Sequence, residues 1–372
     1  MFSFLSANQI LQNEPLSKHT TIGVGGTCSY FLQISSQQIT NCIRECQQHN
    51  LPYFFIGLGS NLLVADSGYN GVVIKVLDNS LSIFTPPYDS SFYLPNTNYK
   101  QTNPTTQISN HTTCKTTQNI DPSSSSCNTQ KADNNAISPN QPTAIIRASA
   151  FCKLANIVTF ALQNSLSGLE WAIGLPSSLG GAIYGNAGAN GSEIANILQN
   201  CTVLDNGLLK TFSHQDCHFS YRDSIFKTPI SPNACSHSIN AISPNFSNPI
   251  ILSADLLLHK HPQSTIQAKM QTYRQSRIAH QPKGKSMGCV FKNGRDKNNN
   301  PYSAGKLIDL VGLKGFHIGK VHISPIHANF IINNGDNAQD IYDVIQHIKQ
   351  TVSNQLNIHL QEEIRYIGQF VQ

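Results

Sequence analysis

From Pro95 to Pro142 the chain runs for 48 residues, of which 34 are Ser, Thr, Asn, Gln or Pro and only five are charged. Apolar residues recur there with neither the strand nor the helix period, so the stretch buries too little surface to offset the entropy of ordering it. It is expected to be a disordered or loosely packed insertion, and any fold must close around it. A shorter stretch of the same flavour spans 228–247, and neither is a tandem repeat. Over all 372 residues, 12% are charged and 39% hydrophobic. The first figure is about half the usual share of roughly 25%, so uncharged polar residues fill the difference. This excludes a charge-driven disordered chain. No apolar run approaches the roughly 18–20 residues that a bilayer requires, so no membrane insertion is expected.

The net charge is +5, with Lys and Arg scattered rather than gathered into a basic run, so nucleic acid is not expected as a partner. Met1–Leu5 lacks a basic start and a long apolar stretch, which argues against a signal peptide and for a cytoplasmic protein. The ten cysteines contain no CxxC pair. Cys42 and Cys46 suit one face of a helix, but no second ligand pair follows, so reduced thiols and no metal are expected.

Outside the polar stretches, strand and helix patterns alternate. Ser29–Ile34, Tyr53–Ile56 and Gly71–Val76 read as strands around a helix over Ser36–His49, a βαβ-like order. Further on, strands are expected at Ala144–Ile146, Cys201–Leu204 and Ile250–Leu258. Helices are expected at Leu154–Gln163, Gln263–Ala279 and from Ala338 to about Gln355.

Five places carry residue types suited to chemistry. Gly57-Leu58-Gly59-Ser60-Asn61 follows a strand, and closely spaced glycines there let backbone N–H groups approach a phosphate. It fails the GxGxxG dinucleotide fingerprint, because Leu62 stands at the third glycine position. A second tract, Gly168–Gly191, holds seven glycines in small, apolar surroundings. Two such loops suit one long ligand gripped at two places; a strand-rich domain with tight bends is the plainer alternative. Gly288-Cys289-Val290-Phe291-Lys292-Asn293 offers a thiol as acid, nucleophile or simple buried group. Tyr221-Arg222-Asp223-Ser224 offers an Arg fork for a carboxylate or oxyanion, or an Arg222–Asp223 ion pair. Glu362-Glu363 precedes a strand-like end and by default is surface charge.

Taken in order, these blocks resemble the UDP-N-acetylenolpyruvoylglucosamine reductases. The blocks are His19–Gly26, Gly57–Leu63, Gly168–Gly191, Tyr221–Ser224, Gly288–Asn293, Ala304–Gly315, His327–Asn333 and Leu360–Gly368. The resemblance covers nearly the whole chain except the two polar insertions, and Arg277 with Gln281-Pro282 leading into Gly288 is closest to the shorter type II branch. It implies an α+β protein of three domains: a two-part FAD-binding module of the vanillyl-alcohol-oxidase (PCMH) type and a smaller α/β substrate-binding domain. Residues 1–80 form the first part of that module, with 361–372 returning to it. Residues 81–282 form the second part, with the insertions 95–142 and 228–247, and 283–360 form the substrate domain.

The implied reaction is reduction of UDP-N-acetylenolpyruvoylglucosamine to UDP-N-acetylmuramate in peptidoglycan precursor synthesis, by a monomer using non-covalent FAD and NADPH. A hydride goes from reduced flavin to C3 of the enolpyruvyl group and a proton from the protein to C2. By position Arg222 and Glu363 match the family's catalytic Arg and Glu. Cys289 stands where the family usually has the proton-donating Ser; a thiol's ordinary pKa of about 8.5 makes it a competent acid that is also open to oxidation or alkylation. The resemblance assigns FAD to Gly57, Gly59, Ser60, Asn61 and Leu62 in the first loop, and to Gly174, Pro176, Gly180, Gly181, Asn186 and Gly188 in the second. It assigns substrate or NADPH to Tyr221, Arg277, His280 and Asn293. His280 replaces a usual Lys, Ser177 a usual Gly, and Arg147-Ala148-Ser149-Ala150 a usual Gly-Ala-Gly. Two other readings are an FAD-dependent oxidase of a small alcohol or hydroxy acid, which would lack the Cys289–Asn293 block and Glu363, and a non-catalytic flavin- or nucleotide-sugar-binding homologue.

Overall fold

The computed structural model describes residues 1–84, 143–227 and 249–371. The insertions read in the sequence at 95–142 and 228–247 lie outside the described residues.

The first unit is built on strands β1 (Ile10–Pro15) and β2 (Thr27–Ile34), helix α1 (Ile39–Gln48), and strands β3 (Tyr53–Phe55), β4 (Leu62–Val64) and β5 (Tyr69–Val76). The sheet order is β1-β2-β5-β3, with β5 parallel to both neighbours and β1 antiparallel to β2. The crossover β2–α1–β3 therefore leaves a gap that β5 fills. A parallel strand covered on both faces reads as a continuous apolar run, and Val72-Val73-Ile74 does so. Leu32, Val72 and Ile74 pack with Ile39, Cys42 and Cys46 of α1. Phe31, Phe54 and Val73 point the other way into a separate cluster with Leu16 and Ile56.

The second unit contains β6 (Leu81–Phe84), β7 (Thr143–Ser149), α2 (Leu154–Gln163), β8 (Leu166–Ser167), α3 (Leu179–Tyr184), β9 (Gly188–Ala189), β10 (Ser192–Glu193), β11 (Leu198–Asp205), β12 (Leu208–Ser213), β13 (Ile250–Lys260) and α4 (Gln263–His280). Its main sheet is antiparallel in the order β12-β11-β13-β7-β6, with β8 also on β13. Alternate residues Ala144, Ile146 and Ala148 face the core, where Leu154, Ile157, Val158 and Ala161 of α2 cover them at helical spacing.

The last unit comprises β14 (Gly294–Arg295), β15 (Pro301–Tyr302), α5 (Ala304–Leu310), β16 (His317–Ile318), β17 (Val321–Ile323), β18 (Ile331–Asn333), α6 (Ala338–Leu356) and β19 (Arg365–Ile367). Here α6 buries Ile341, Val344, Ile345, Ile348 and Val352. Asn357, at φ +53°, ends the helix in the left-handed conformation that Asn tolerates. The core of this unit takes in Ile22, Val24 and Leu63 from the first. β19 then returns to pair in parallel with β4, Arg365 opposite Leu62. That pairing carries Glu363 back beside the Gly57–Leu62 loop.

Among the described residues no helix is long and apolar enough to cross a membrane. Nor do three or more His, Cys, Asp or Glu side chains gather there as a metal site requires.

Candidate active site

A cleft of about 270 Å³ opens between the first two units. Its walls are the two glycine loops that the sequence places far apart: Gly57–Leu62 on one side, and Ser177, Ser178, Gly180, Gly181 and Gly185 on the other. Apolar side chains, among them Tyr53, Ile56, Phe151, Phe226 and Ile250, line the rest. Close approach dictates glycine at the first loop. Gly59 has φ +61°, and a Cβ there would stand 2.0 Å from the His19 carbonyl oxygen. The loops touch at Gly57, where a Cβ would come within 2.6 Å of Ser178 Oγ. Arg365 reaches the cleft with its guanidinium 5.1 Å from the Tyr184 ring centroid.

At the edge of this cleft, three segments of the chain converge. Residues 289–291 form an extended rung between two others: Cys289 bridges to Phe330, and Phe291 to Glu362. The Glu363 N–H donates to the Val290 carbonyl at 2.7 Å. Glu363 thereby lies beside Cys289, and its carboxylate meets Arg222, with Nε 3.2 Å from Oε1 and each side chain 22% exposed. Arg222 holds φ +54°, an uncommon conformation for a residue with a Cβ. The surroundings fix it there. Its Nη2 donates to the Gly188 carbonyl at 2.7 Å, its Nη1 to the Asn186 carbonyl at 3.4 Å, and Lys227 Nζ donates to the Arg222 carbonyl. Asp223, the neighbour that sequence offered as an ion-pair partner, instead accepts the Ser224 N–H at 3.0 Å.

Burial governs the electrostatics. It raises the Glu363 carboxyl above its ordinary range, against the pull of Arg222, Lys227 and Lys292. Burial, and then the Glu363 charge, push the Cys289 thiol up to about 12, with Arg222 and Arg277 opposing. Cys289 therefore keeps its proton at neutral pH. Burial likewise lowers Lys227 and raises Tyr221. The result is a protonated thiol, a carboxyl raised by burial and a fixed guanidinium around one small volume.

The remaining expected residues divide in a way the sequence does not reveal. Gly57, Gly59, Ser60, Asn61, Leu62, Gly180 and Gly181 line the cleft. Gly174, Pro176, Asn186 and Gly188, also expected at the cofactor, are not among its lining residues. Gly174 offers its carbonyl to Arg277 Nη2 at 3.2 Å, and Pro176 is exposed. The fully buried Asn186 side chain donates to the Ser220 carbonyl at 2.9 Å and accepts from the Ala195 N–H at 3.2 Å. Beyond Gly185, then, the second glycine tract holds the Arg222 turn and leaves the cleft. Gly188 is required by packing: a Cβ would lie 2.7 Å from Glu193 Cβ and 3.1 Å from Arg222 Nη1. The Tyr221 ring lies 5.3 Å under the Arg222 guanidinium. Asn293, expected at substrate or NADPH, uses its Oδ1 to receive the Ala304 N–H at the start of α5, 3.0 Å away. His280, expected at the same ligands, ends α4 exposed, its Nδ1 2.9 Å from the Ser276 carbonyl. Lys227, Tyr184, Glu193 and Arg365 were not singled out in the sequence. Lys227 follows the Tyr221–Ser224 block closely, and Arg365 lies inside Leu360–Gly368, so proximity to those blocks is the signal that would have found them.

Comparison with known proteins accords with this arrangement. The family model described as UDP-N-acetylenolpyruvoylglucosamine reductase, C-terminal domain, matches residues 280–367. A UDP-N-acetylenolpyruvoylglucosamine reductase of Lachnoclostridium phytofermentans is 30% identical over 99% of this chain and 96% of its own. One from Agathobacter rectalis is 32% identical over 97% of this chain and 95% of its own. The chain belongs to the UDP-N-acetylenolpyruvoylglucosamine reductase family. The crystal structure of the Thermus caldophilus family member (MurB) covers 97% of this chain and 99% of its own, with a TM-score of 0.64 and 25% identity. Membership in the reductase family makes the chain an oxidoreductase that works with a flavin. The cleft suits such a group. It is lined by two glycine loops, by apolar side chains and by one arginine, Arg365.

Proposed function

We propose that this chain reduces UDP-N-acetylenolpyruvoylglucosamine to UDP-N-acetylmuramate, with NADPH as electron source and FAD as carrier, in peptidoglycan precursor synthesis. The observation that carries the reading is the Arg222–Glu363 pair at 3.2 Å beside a protonated Cys289, at the rim of the glycine-walled cleft. FAD, when bound, supplies the hydride that C3 of the enolpyruvyl group receives. Hydride addition builds negative charge on C2 and the adjoining carboxylate. Arg222, locked by two backbone carbonyls, offers a fixed cation to that charge and needs little reorganisation. Glu363, its carboxyl raised by burial, can hydrogen-bond the substrate carboxylate in its protonated form. Cys289 gives its proton to C2, and the product thiolate recovers one from solvent. Gly57, Gly59, Ser60 and Leu62 with Gly180 and Gly181 would hold the flavin dinucleotide. Tyr221 and Arg277, both close to Cys289, would face the nucleotide sugar or NADPH. We read the three units as a two-part FAD module of the vanillyl-alcohol-oxidase type and a substrate domain, in a monomer.

The test is spectroscopic. The purified protein, reconstituted with FAD, is expected to show flavin bands that NADPH bleaches without oxygen. UDP-N-acetylenolpyruvoylglucosamine should restore the bands with formation of UDP-N-acetylmuramate. Failure to take up FAD would refute the reading. Restoration by oxygen alone, and not by the sugar, would favour the oxidase.

A further inference from the structure

Asn61 belongs to the first glycine loop and lines the cleft, yet its side chain is committed elsewhere. Its Nδ2 donates to the Glu363 carbonyl at 3.0 Å, and its own carbonyl accepts the Arg365 N–H at 3.0 Å. The Glu363 N–H is held on its other side by Val290, the residue after Cys289, at 2.7 Å. One peptide segment thus hangs between the loop that walls the cleft and the rung that carries the thiol. From Glu363 the side chain has one further fixed contact, Arg222 at 3.2 Å. Because an amide nitrogen is the only donor that Asn61 can offer a carbonyl, the assignment of its Nδ2 is set by its partner.

We propose that Asn61 is a positioning residue for the carboxyl of Glu363, setting its distance from Cys289 and from the bound carboxylate. The proposal rests on the reading that Glu363 serves the second half of the reaction. Small displacements at such a group are costly, since a shift of about 1 Å can lower a rate by roughly 100-fold. The proposal therefore predicts a larger defect in the step that needs Glu363 than in the step that loads electrons onto the flavin.

The experiment uses FAD-saturated Asn61→Ala and the isosteric Asn61→Asp, which cannot donate to the carbonyl and guards against a folding defect in the first. Each half-reaction is timed anaerobically by flavin absorbance. Relative to the wild type, recolouring by the enolpyruvyl sugar should slow at least about tenfold more than bleaching by NADPH does. Combined with Glu363→Gln, neither change should add to the defect, because both act through one group. A readout independent of turnover is alkylation of Cys289 in the FAD-free chain. With the Glu363 carboxylate less well held, iodoacetamide should modify Cys289 several-fold faster at pH 9 in Asn61→Ala, followed by the mass of its peptide. Equal slowing of both half-reactions, additivity with Glu363→Gln, or an unchanged alkylation rate would each overturn the proposal. If the wild type itself is not recoloured by the sugar, the functional reading fails, and the alkylation comparison still decides the role of Asn61.

Discussion

Cys289 shows how far surroundings can move a single side chain. Read from sequence, a thiol in place of a serine is a stronger acid and an exposed liability. In the fold, burial and Glu363 bring it up to about 12, which narrows its difference from a hydroxyl and leaves about one part in 10⁵ as thiolate at pH 7. Two consequences are measurable. Cys289→Ala should lower reduction of the enolpyruvyl sugar by roughly 10²–10⁴, the usual worth of a general acid, while NADPH still bleaches the flavin; Cys289→Ser should retain most of the rate. In the wild type, alkylation of Cys289 should be slow at pH 7 and rise about tenfold per pH unit toward pH 12, with the sugar protecting. A plateau near pH 9 would show an ordinary thiol and remove the argument for a held proton.

At the scale of elements, α6 is tied to the first unit by one carboxylate. Asp66, in the β4–β5 connection, accepts the Ala338 N–H at 3.0 and 2.9 Å on its two oxygens and the Gln339 N–H at 3.1 Å. Asn337 caps the same end through the Gln339 N–H at 2.8 Å. A negative group there satisfies orphan donors and faces the positive end of the helix dipole. Asp66→Ala should therefore cost about 1–2 kcal/mol in urea unfolding, and Asp66→Asn about half as much; no loss would mean that Asn337 suffices alone. Elements such as α2 and α6 were legible in the sequence because their apolar period repeats over several turns. So was the α1 crossover, with its alternation of short strands. What pairs with what was not legible. Arg222 has an acid next to it in sequence, but its left-handed turn sets Nε of the guanidinium on Glu363 instead. The glycine tract from 168 to 191 looks like ligand-gripping backbone throughout, yet beyond Gly185 its Asn186 and Gly188 carbonyls hold Arg222. Asn61 and Asn293 look like ligand contacts because both stand in motif blocks, but their amides serve Glu363 and α5. His280 finds its partner in the last turn of its own helix. Periodicity reports burial of a face; it carries no information about where a turn sends a polar side chain.

For the molecule as a whole, the sparse charge noted in the sequence, 45 of 372 residues, shifts attention to buried neutral groups. Cys28 is raised to about 11, Cys42 and Cys46 to about 12, and Cys152 and Cys217 upward as well, with desolvation the leading cause for all except Cys217, where the neighbouring Cys201 comes first. In the unfolded chain a thiol titrates near 8.5. A folded value above the unfolded one means that the native state binds more protons in that window. The stability these groups contribute is therefore complete below about pH 8.5 and is lost as pH rises through the folded values. Each fully buried thiol removes at most about 1.4 kcal/mol per pH unit there. Cys42 and Cys46 are both completely buried in the α1 interface. The urea midpoint should accordingly stay level from pH 7 to 8.5 and drop steeply by pH 10.5. In the Cys42→Ala, Cys46→Ala double variant the starting stability is lower, because two packed side chains are gone, but the decline with pH should be shallower by up to about 2–3 kcal/mol per pH unit. An unchanged slope in that variant would mean that the alkaline loss arises elsewhere, in the buried Tyr53 and the half-buried Tyr366 first, since burial raises both.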